Sequence, residues 1–271
     1  MNTTHRIELG SFTCLVIKDG SESRPRLSDY VASPPDELKD RSLYMLGGVM
    51  LVETPEGRIL IDAGDGPHRG PRTHEAEVAL QEAGVDPQSI ATILLTHGDP
   101  DHIGGLLTRE KNLVYPNARY VLHRELWDAW QAPPSAGLYF PQQEPFVRRL
   151  AEHIADRSDL FDTEEQVRPG ITAIPALGHR AGHSAYLLEA DAERLLHIGD
   201  AAFDPLFLEH TDLINAHDTR PEEARDSRRM LVRRALAEEA IVVGTHFEPP
   251  GAGTLQEVGT DRYSWSAIPC A

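Results

Sequence analysis

The sequence predicts an α/β protein, and three observations predict it. Short apolar runs of strand character recur along the chain. Several of them run straight into histidine or aspartate beside glycine. Between them lie segments with the periodicity and end signals of helices.

In chain order, Phe12-Thr13-Cys14-Leu15-Val16-Ile17 reads as a strand closed by Asp19-Gly20. Residues 20–41, rich in Ser, Pro and Asp, read as a long loop. Met45 to Glu53, a turn at Thr54-Pro55-Glu56-Gly57, and Arg58 to Asp62 form a hairpin by length and turn chemistry. Glu75 to Glu82 reads as a helix ended by Gly84, Ile90 to Thr96 as a buried strand, and Ile103 to Arg109 as the start of a helix. A short strand at Tyr120-Val121-Leu122 precedes a helix over Arg124 to Trp130. Ala185 to Leu188 is a further short strand. Pro221 to Glu239 is the longest helix, with Pro221 in its first turn and Glu222 and Glu223 at its positive end. Two β-rich halves, each flanked by helices, make an α/β sandwich. No internal repeat is visible, and residues 1–271 are read as a single domain.

Residues 131–157 read as an insertion. Ala132 to Pro141 is read as irregular throughout, and an amphipathic stretch from Glu144 to Ile154 follows. Two readings stand side by side: a wall of the active-site cleft, or a surface excursion packing its aromatics on the domain. On the first, Leu138, Tyr139 and Phe140 face substrate, and Phe247 is a further candidate for that role.

The densest chemistry lies in Thr96-His97-Gly98-Asp99-Pro100-Asp101-His102-Ile103-Gly104-Gly105. Two imidazoles and two carboxylates sit at the C-terminal end of an apolar run, where a rigid sheet can hold them as metal ligands. His and carboxylate together suit zinc, manganese or iron more than calcium or magnesium. Three more such positions follow: His183 before Ala185-Tyr186-Leu187-Leu188, Asp200 after Leu195-Leu196-His197-Ile198-Gly199, and His246 after Ile241-Val242-Val243-Gly244-Thr245.

Taken in order, these motifs resemble the metallo-β-lactamase-fold superfamily of hydrolases. That family carries a His-x-His-x-Asp-His loop, a later His, a bridging Asp and a last His. Leu60-Ile61-Asp62-Ala63-Gly64 is similar to its strand ending in Asp and Gly, and the resemblance spans about Met45 to Gly253. It implies a four-layer αβ/βα sandwich. It also implies two divalent transition metals, zinc first. One would be held by His97, Asp99 and His183, the other by Asp101, His102 and His246, with Asp200 bridging. Asp62 would orient the loop from behind, as such carboxylates do. The departure is Asp99, where the family has histidine. It adds a negative charge and a harder oxygen donor, which opens the site to manganese or iron. His179 reads as loop structure or a support behind the ligands, and His197 as a buried structural residue.

The chemistry implied is attack by a metal-bridging hydroxide on a small ester, lactone or phosphotriester, with Asp101 and Asp200 as the catalytic carboxylates. Asp218-Thr219-Arg220-Pro221 together with Gly244 to Gly251 resembles the branch of lactonases and organophosphate-type hydrolases. Two alternatives remain open: a mononuclear iron redox enzyme such as a sulfur dioxygenase, and a metal-free, non-catalytic relative. A net charge of −17 argues against nucleic acid and leaves a small molecule as the expected partner. Only two cysteines are present, Cys14 and Cys270, which sets aside a disulfide framework. The first ten residues hold no apolar signal core and no run reaches the length of a membrane span, so no membrane is expected and cytoplasm is the expected location. Nothing in the sequence fixes an oligomeric state.

Overall fold

The computed structural model describes residues 4–68, 75–137 and 140–269. Leu138, Tyr139 and Cys270 therefore lie outside the described residues.

Two seven-stranded sheets follow one another in the chain. The first runs in sequence order through β1 (Thr4–Leu9), β2 (Phe12–Ser23), β3 (Met45–Thr54), β4 (Gly57–Ile61), β5 (Ile90–Leu94), β6 (Arg119–His123) and β7 (Ser158–Phe161). The second holds β8 (Glu165–Arg168), β9 (Ile171–Pro175), β10 (Ser184–Ala190), β11 (Glu193–His197), β12 (Ile241–Val243), β13 (Ala252–Gly259) and β14 (Arg262–Ala267), again in order. β4 to β7 pair parallel, as do β11 and β12, and the remaining pairs are antiparallel. The helices are α1 (Glu75–Glu82), α2 (Pro100–Ile103), α3 (Arg124–Gln131), α4 (Glu144–Ile154), α5 (Leu206–Glu209) and α6 (Pro221–Ala237).

Alternation along each strand divides the apolar residues between two faces. Ile59, Ile61, Leu94 and Val121 of the first sheet meet Tyr186, Leu188 and Leu195 of the second in one core. Leu60, Ile93, Tyr120 and Leu122 point the other way, onto Leu126 and Trp130 of α3 and Val147, Leu150 and Ile154 of α4. Leu187, Leu196 and Val242 of the second sheet likewise meet Leu206 and Phe207 of α5 and Leu231 and Val232 of α6. The result is helix, sheet, sheet, helix, the sandwich expected. Among the described residues no helix is long and apolar enough to cross a membrane.

The hairpin, α1, α3, α4 and α6 lie where the sequence puts them, within two residues at each end. The helix expected from Ile103 to Arg109 does not form. α2 ends at Ile103 and a single tight turn, Gly104–Leu106, follows. The backbone of this turn presses on its neighbours: a Cβ on Gly104 would lie 2.0 Å from the Asp65 carbonyl oxygen, and one on Gly105 2.0 Å from that of Ala63. β2 runs on to Ser23 through an irregular register, past the Asp19-Gly20 stop read in the sequence.

Candidate metal centre

One end of the sandwich gathers the loops that leave β4, β5, β9, β11 and β12. Asp62 follows β4 with φ 58°, a left-handed conformation uncommon outside glycine. Its buried carboxylate organises the loop after β5. Oδ1 accepts the Thr96 backbone N–H at 2.8 Å, and Oδ2 lies 2.7 Å from both the Thr96 hydroxyl and His102 Nδ1.

These contacts fix the protons. The Thr96 hydroxyl donates to Asp62 and lies 3.0 Å from His97 Nδ1, so it accepts from that nitrogen. His102 Nδ1 donates to Asp62. His179 Nδ1 donates to Asp218 Oδ1 at 2.9 Å. Each of the three imidazoles is anchored through Nδ1 and turns its Nε2 toward the cluster, the nitrogen a metal would take. All three Nε2 atoms are buried and have no hydrogen-bond partner, and the same holds for Asp200 Oδ1.

Those orphaned atoms gather around Asp200 Oδ2 and His246 Nε2, which share a hydrogen bond. Asp200 Oδ2 lies 3.7 Å from His97 Nε2, 3.5 Å from His179 Nε2 and 3.1 Å from His246 Nε2, and Asp200 Oδ1 lies 3.3 Å from His102 Nε2. Asp99 Oδ2 is 3.7 Å from His97 Nε2 and 3.9 Å from His179 Nε2, and Asp101 Oδ2 is 3.8 Å from His246 Nε2. Three overlapping groups could each hold a cation, with donor atoms within 4.8 Å of one another: His97, Asp99 and His179; Asp101, His102 and His246; and His97, His102 and Asp200. Buried donors of this kind, unpaired by protein, fit divalent transition metals.

Electrostatics point the same way. Burial would lower the His102 pKa, but the Asp200 and Asp62 carboxylates hold it well above the ordinary histidine value. Burial opposes ionisation of Asp200, yet His246, His102 and His97 keep its carboxyl well below the usual range. Asp99 is likewise held low against burial, by His97 and then by the Arg180 guanidinium. Positive charge is favoured at the middle of the cluster.

One expected ligand, His183, is not among the groups that could hold a cation, and His179 is. His183 lies beside the cluster, its ring centroid 5.3 Å from that of His97, but both its nitrogens are engaged by backbone. Nδ1 donates to the Ala176 carbonyl at 2.8 Å, and Nε2 accepts the Asp200 N–H at 2.9 Å. Its own carbonyl accepts the Ala176 N–H, so His183 is tied into the connection just beyond the paired ends of β9 and β10. His179, read from the sequence as support, reaches the cluster from the loop tip instead. The two histidines have the same local signature, each following a glycine. Their difference lies in pairing and in Asp218, a carboxylate 39 positions away. His197 is buried as expected, and burial lowers its pKa to about 4.

Two cavities adjoin the cluster and share Asp65 and Asp101. The larger, about 640 Å³, has Asp99 and Asp101 at its base and Phe140, Gln143, Pro145 and Phe146 along its side. The smaller, about 370 Å³, is lined by Tyr30, Met45, Gly47 and His246 among others. Phe247 borders neither. It is buried in the second-sheet core with its ring edge-on to Trp265 at 5.3 Å, which corrects its expected place at the substrate. Phe203 holds the position beside the ligands, its ring 5.4 Å from His179 and 5.2 Å from His246, and Tyr30 packs on it at 5.6 Å.

Known proteins share this architecture. The dizinc quorum-quenching lactonase AidC, bound to a hydrolysed lactone product, superposes with a TM-score of 0.84 over 99% of each chain at 22% identity. The hydrolase AbOPH of the β-lactamase superfamily gives 0.85 over 99% of this chain and 98% of its own, at 20% identity. Probable metallo-hydrolases of Mycobacterium bovis and Mycobacterium tuberculosis are each 28% identical over 189 residues, 59% of this chain. The chain spans 58% of the length of these curated relatives. The family model of the metallo-beta-lactamase superfamily matches residues 47–246, from β3 to the last histidine of the cluster, and the chain belongs to that superfamily.

Proposed function

We propose that this protein is a metal-dependent hydrolase of small neutral esters, lactones or phosphotriesters, with a dinuclear centre. The observation that carries the reading is the set of buried atoms without a hydrogen-bond partner, Nε2 of His97, His102 and His179 and Oδ1 of Asp200, gathered in overlapping groups that could hold a cation. His97, Asp99 and His179 would hold one ion, Asp101, His102 and His246 the other, with Asp200 between them. Zinc, manganese or iron would suit this mixture of nitrogen and oxygen donors. Such ions supply an activated water near neutral pH and polarise the oxygen under attack.

The protein's own part is to hold and shield. Phe140, Gln142, Gln143, Pro145 and Phe146 line the larger cavity, which supports reading this stretch as a wall of the cleft, with Phe140 and Phe146 offering an apolar surface to one arm of the substrate. The acidic chain disfavours anionic substrates, which supports a neutral one. AidC, a dizinc lactonase, is in complex with an acyl-homoserine product, which supports a lactone with an apolar arm as the substrate form here.

The test is metal content of the purified protein followed by a panel of chromogenic esters, lactones and phosphotriesters. The expected result is about two transition-metal ions per chain and turnover that a chelator abolishes. Turnover by thoroughly metal-free protein would overturn the reading. The set His97, Asp99 and His179 also has the two-histidine, one-carboxylate composition that serves non-haem iron. A single iron per chain with oxygen uptake on thiol persulfides would favour that second reading.

A further inference from the structure

Asp99 stands where the superfamily's loop has histidine, and its two oxygens face different neighbours. Oδ2 points into the cluster, 3.7 Å from His97 Nε2 and 3.9 Å from His179 Nε2. Oδ1 accepts Arg180 Nε at 2.9 Å. We propose that Arg180 is a positioning residue that turns Asp99 into the counterpart of an imidazole: it cancels the added charge and leaves one oxygen for the metal. The proposal rests on reading the cluster as a metal centre.

Three features support it. First, the side chains of Asp99 and Arg180 are 13% and 15% exposed, so their attraction is little screened. The carboxylate contributes one negative charge and the guanidinium one positive charge. Together they are neutral, as the imidazole they replace would be. Second, Arg180 is itself fixed. Nη1 donates to the carbonyls of His179 and His217, so one rigid plane serves the carboxylate and the backbone of the loop carrying His179. A lysine ammonium has no such fork. Third, with Oδ1 engaged, Asp99 offers a single donor atom on the cluster side, as a histidine does. The guanidinium also lies 5.4 Å from the Phe140 ring, so the same residue touches the wall of the larger cavity.

The competing account is a plain ion pair joining two loops. Metal-free parent, R180M, R180K, D99H and the D99H/R180M double variant are titrated with Zn²⁺ by calorimetry, and with Co²⁺ by absorption. In the parent background R180M should weaken one metal equivalent about 10- to 100-fold and leave the other in place. R180K, which keeps the charge and loses the fork, should weaken the same equivalent less and guards against a misfolded R180M. In the D99H background R180M should cause no comparable loss, because histidine brings neither charge nor spare oxygen. Unchanged affinities in both R180M and R180K overturn the proposal. So does an equal loss from R180M with and without Asp99, which is the signature of a loop staple. A parent protein that takes up no metal overturns this proposal and the proposed function together.

Discussion

The two halves of the cluster are built by different means. Asp101 and His102 stand on the loop after β5, His246 stands just beyond β12, and the support behind them is Asp62 at the end of β4. All of that is strand-end geometry, from the neighbouring β4 and β5 of the first sheet and from β12 of the second. His179 of the other half sits on a loop, supported by Asp218 from the approach to α6 and faced by an Asp99 that Arg180 restrains. A sheet sets the first arrangement directly. The second depends on contacts between loops distant in sequence, and every group in it has more ways to be misread or mutated.

The strongest break of this contrast comes at Asp200, which both halves share. Asp200→Asn should remove activity and lower the affinity of both metal equivalents. The loss should exceed the roughly 10- to 100-fold typical of residues behind the ligands. Metal content with a chelator titration measures it. If only one equivalent weakens, Asp200 serves one half alone.

His179 and His183 separate ligand from scaffold. In metal-free protein His183→Ala should lower stability by about 2–4 kcal/mol, since it opens a cavity and leaves the Ala176 carbonyl and the Asp200 N–H unpaired. His179→Ala should leave metal-free stability much closer to the parent and remove a metal equivalent. Urea unfolding in chelator, set beside metal content, distinguishes the two. A stable His183→Ala that cannot bind its first metal would return the ligand role to His183.

That pair also shows what the sequence holds and what it lacks. Strand faces follow a period of two, so the layers were readable from apolar alternation, and the clustered His and Asp side chains at the ends of β5, β11 and β12 were readable with them. The Gly178-His179 and Gly182-His183 pairs look alike locally, and only the pairing just beyond the ends of β9 and β10 decides which ring turns inward. The glycine pair at 104–105 gave no helix because its neighbours across space, Asp65 and Ala63, fill the room a Cβ needs. Phe247 adjoins His246 in sequence, yet its ring enters the core against Trp265. β7, β8, β13 and β14 lack a strong pattern because they are short or largely exposed.

Removing one support at a time sharpens the contrast further. Asp218→Asn should weaken the first half about 10- to 100-fold, while Asp62→Asn should weaken the second to a similar degree. Asp62→Asn should also lower metal-free stability by about 1–3 kcal/mol, because Asp62 accepts from Thr96 as well as His102. Calorimetric titration of each variant reads the two equivalents separately. Cross effects, with Asp218→Asn weakening the second half equally, would show that the halves act as one unit.

The smallest expected difference is in pH dependence. Metal ions and protons compete for the same imidazole nitrogens. Burial lowers the His102 and His246 pKa values, but Asp200, with Asp62 and Asp101, outweighs it and raises both. In metal-free protein these two rings therefore retain protons at pH values where ordinary histidines have lost them. His97 moves the other way, lowered by burial and by His102, and is unprotonated at and above the ordinary histidine value. Metal uptake by the second half must then release protons across the neutral range, and its affinity should rise with pH by up to about tenfold per unit for each proton displaced. Uptake at His97 displaces none there, so that ring should add nothing to the pH slope at and above the ordinary histidine value. Titrations in buffers of different ionisation enthalpy count the protons released at each equivalent. Equal proton release at both would mean that the Asp62 and Asp200 carboxylates do not bias the second half as the geometry requires.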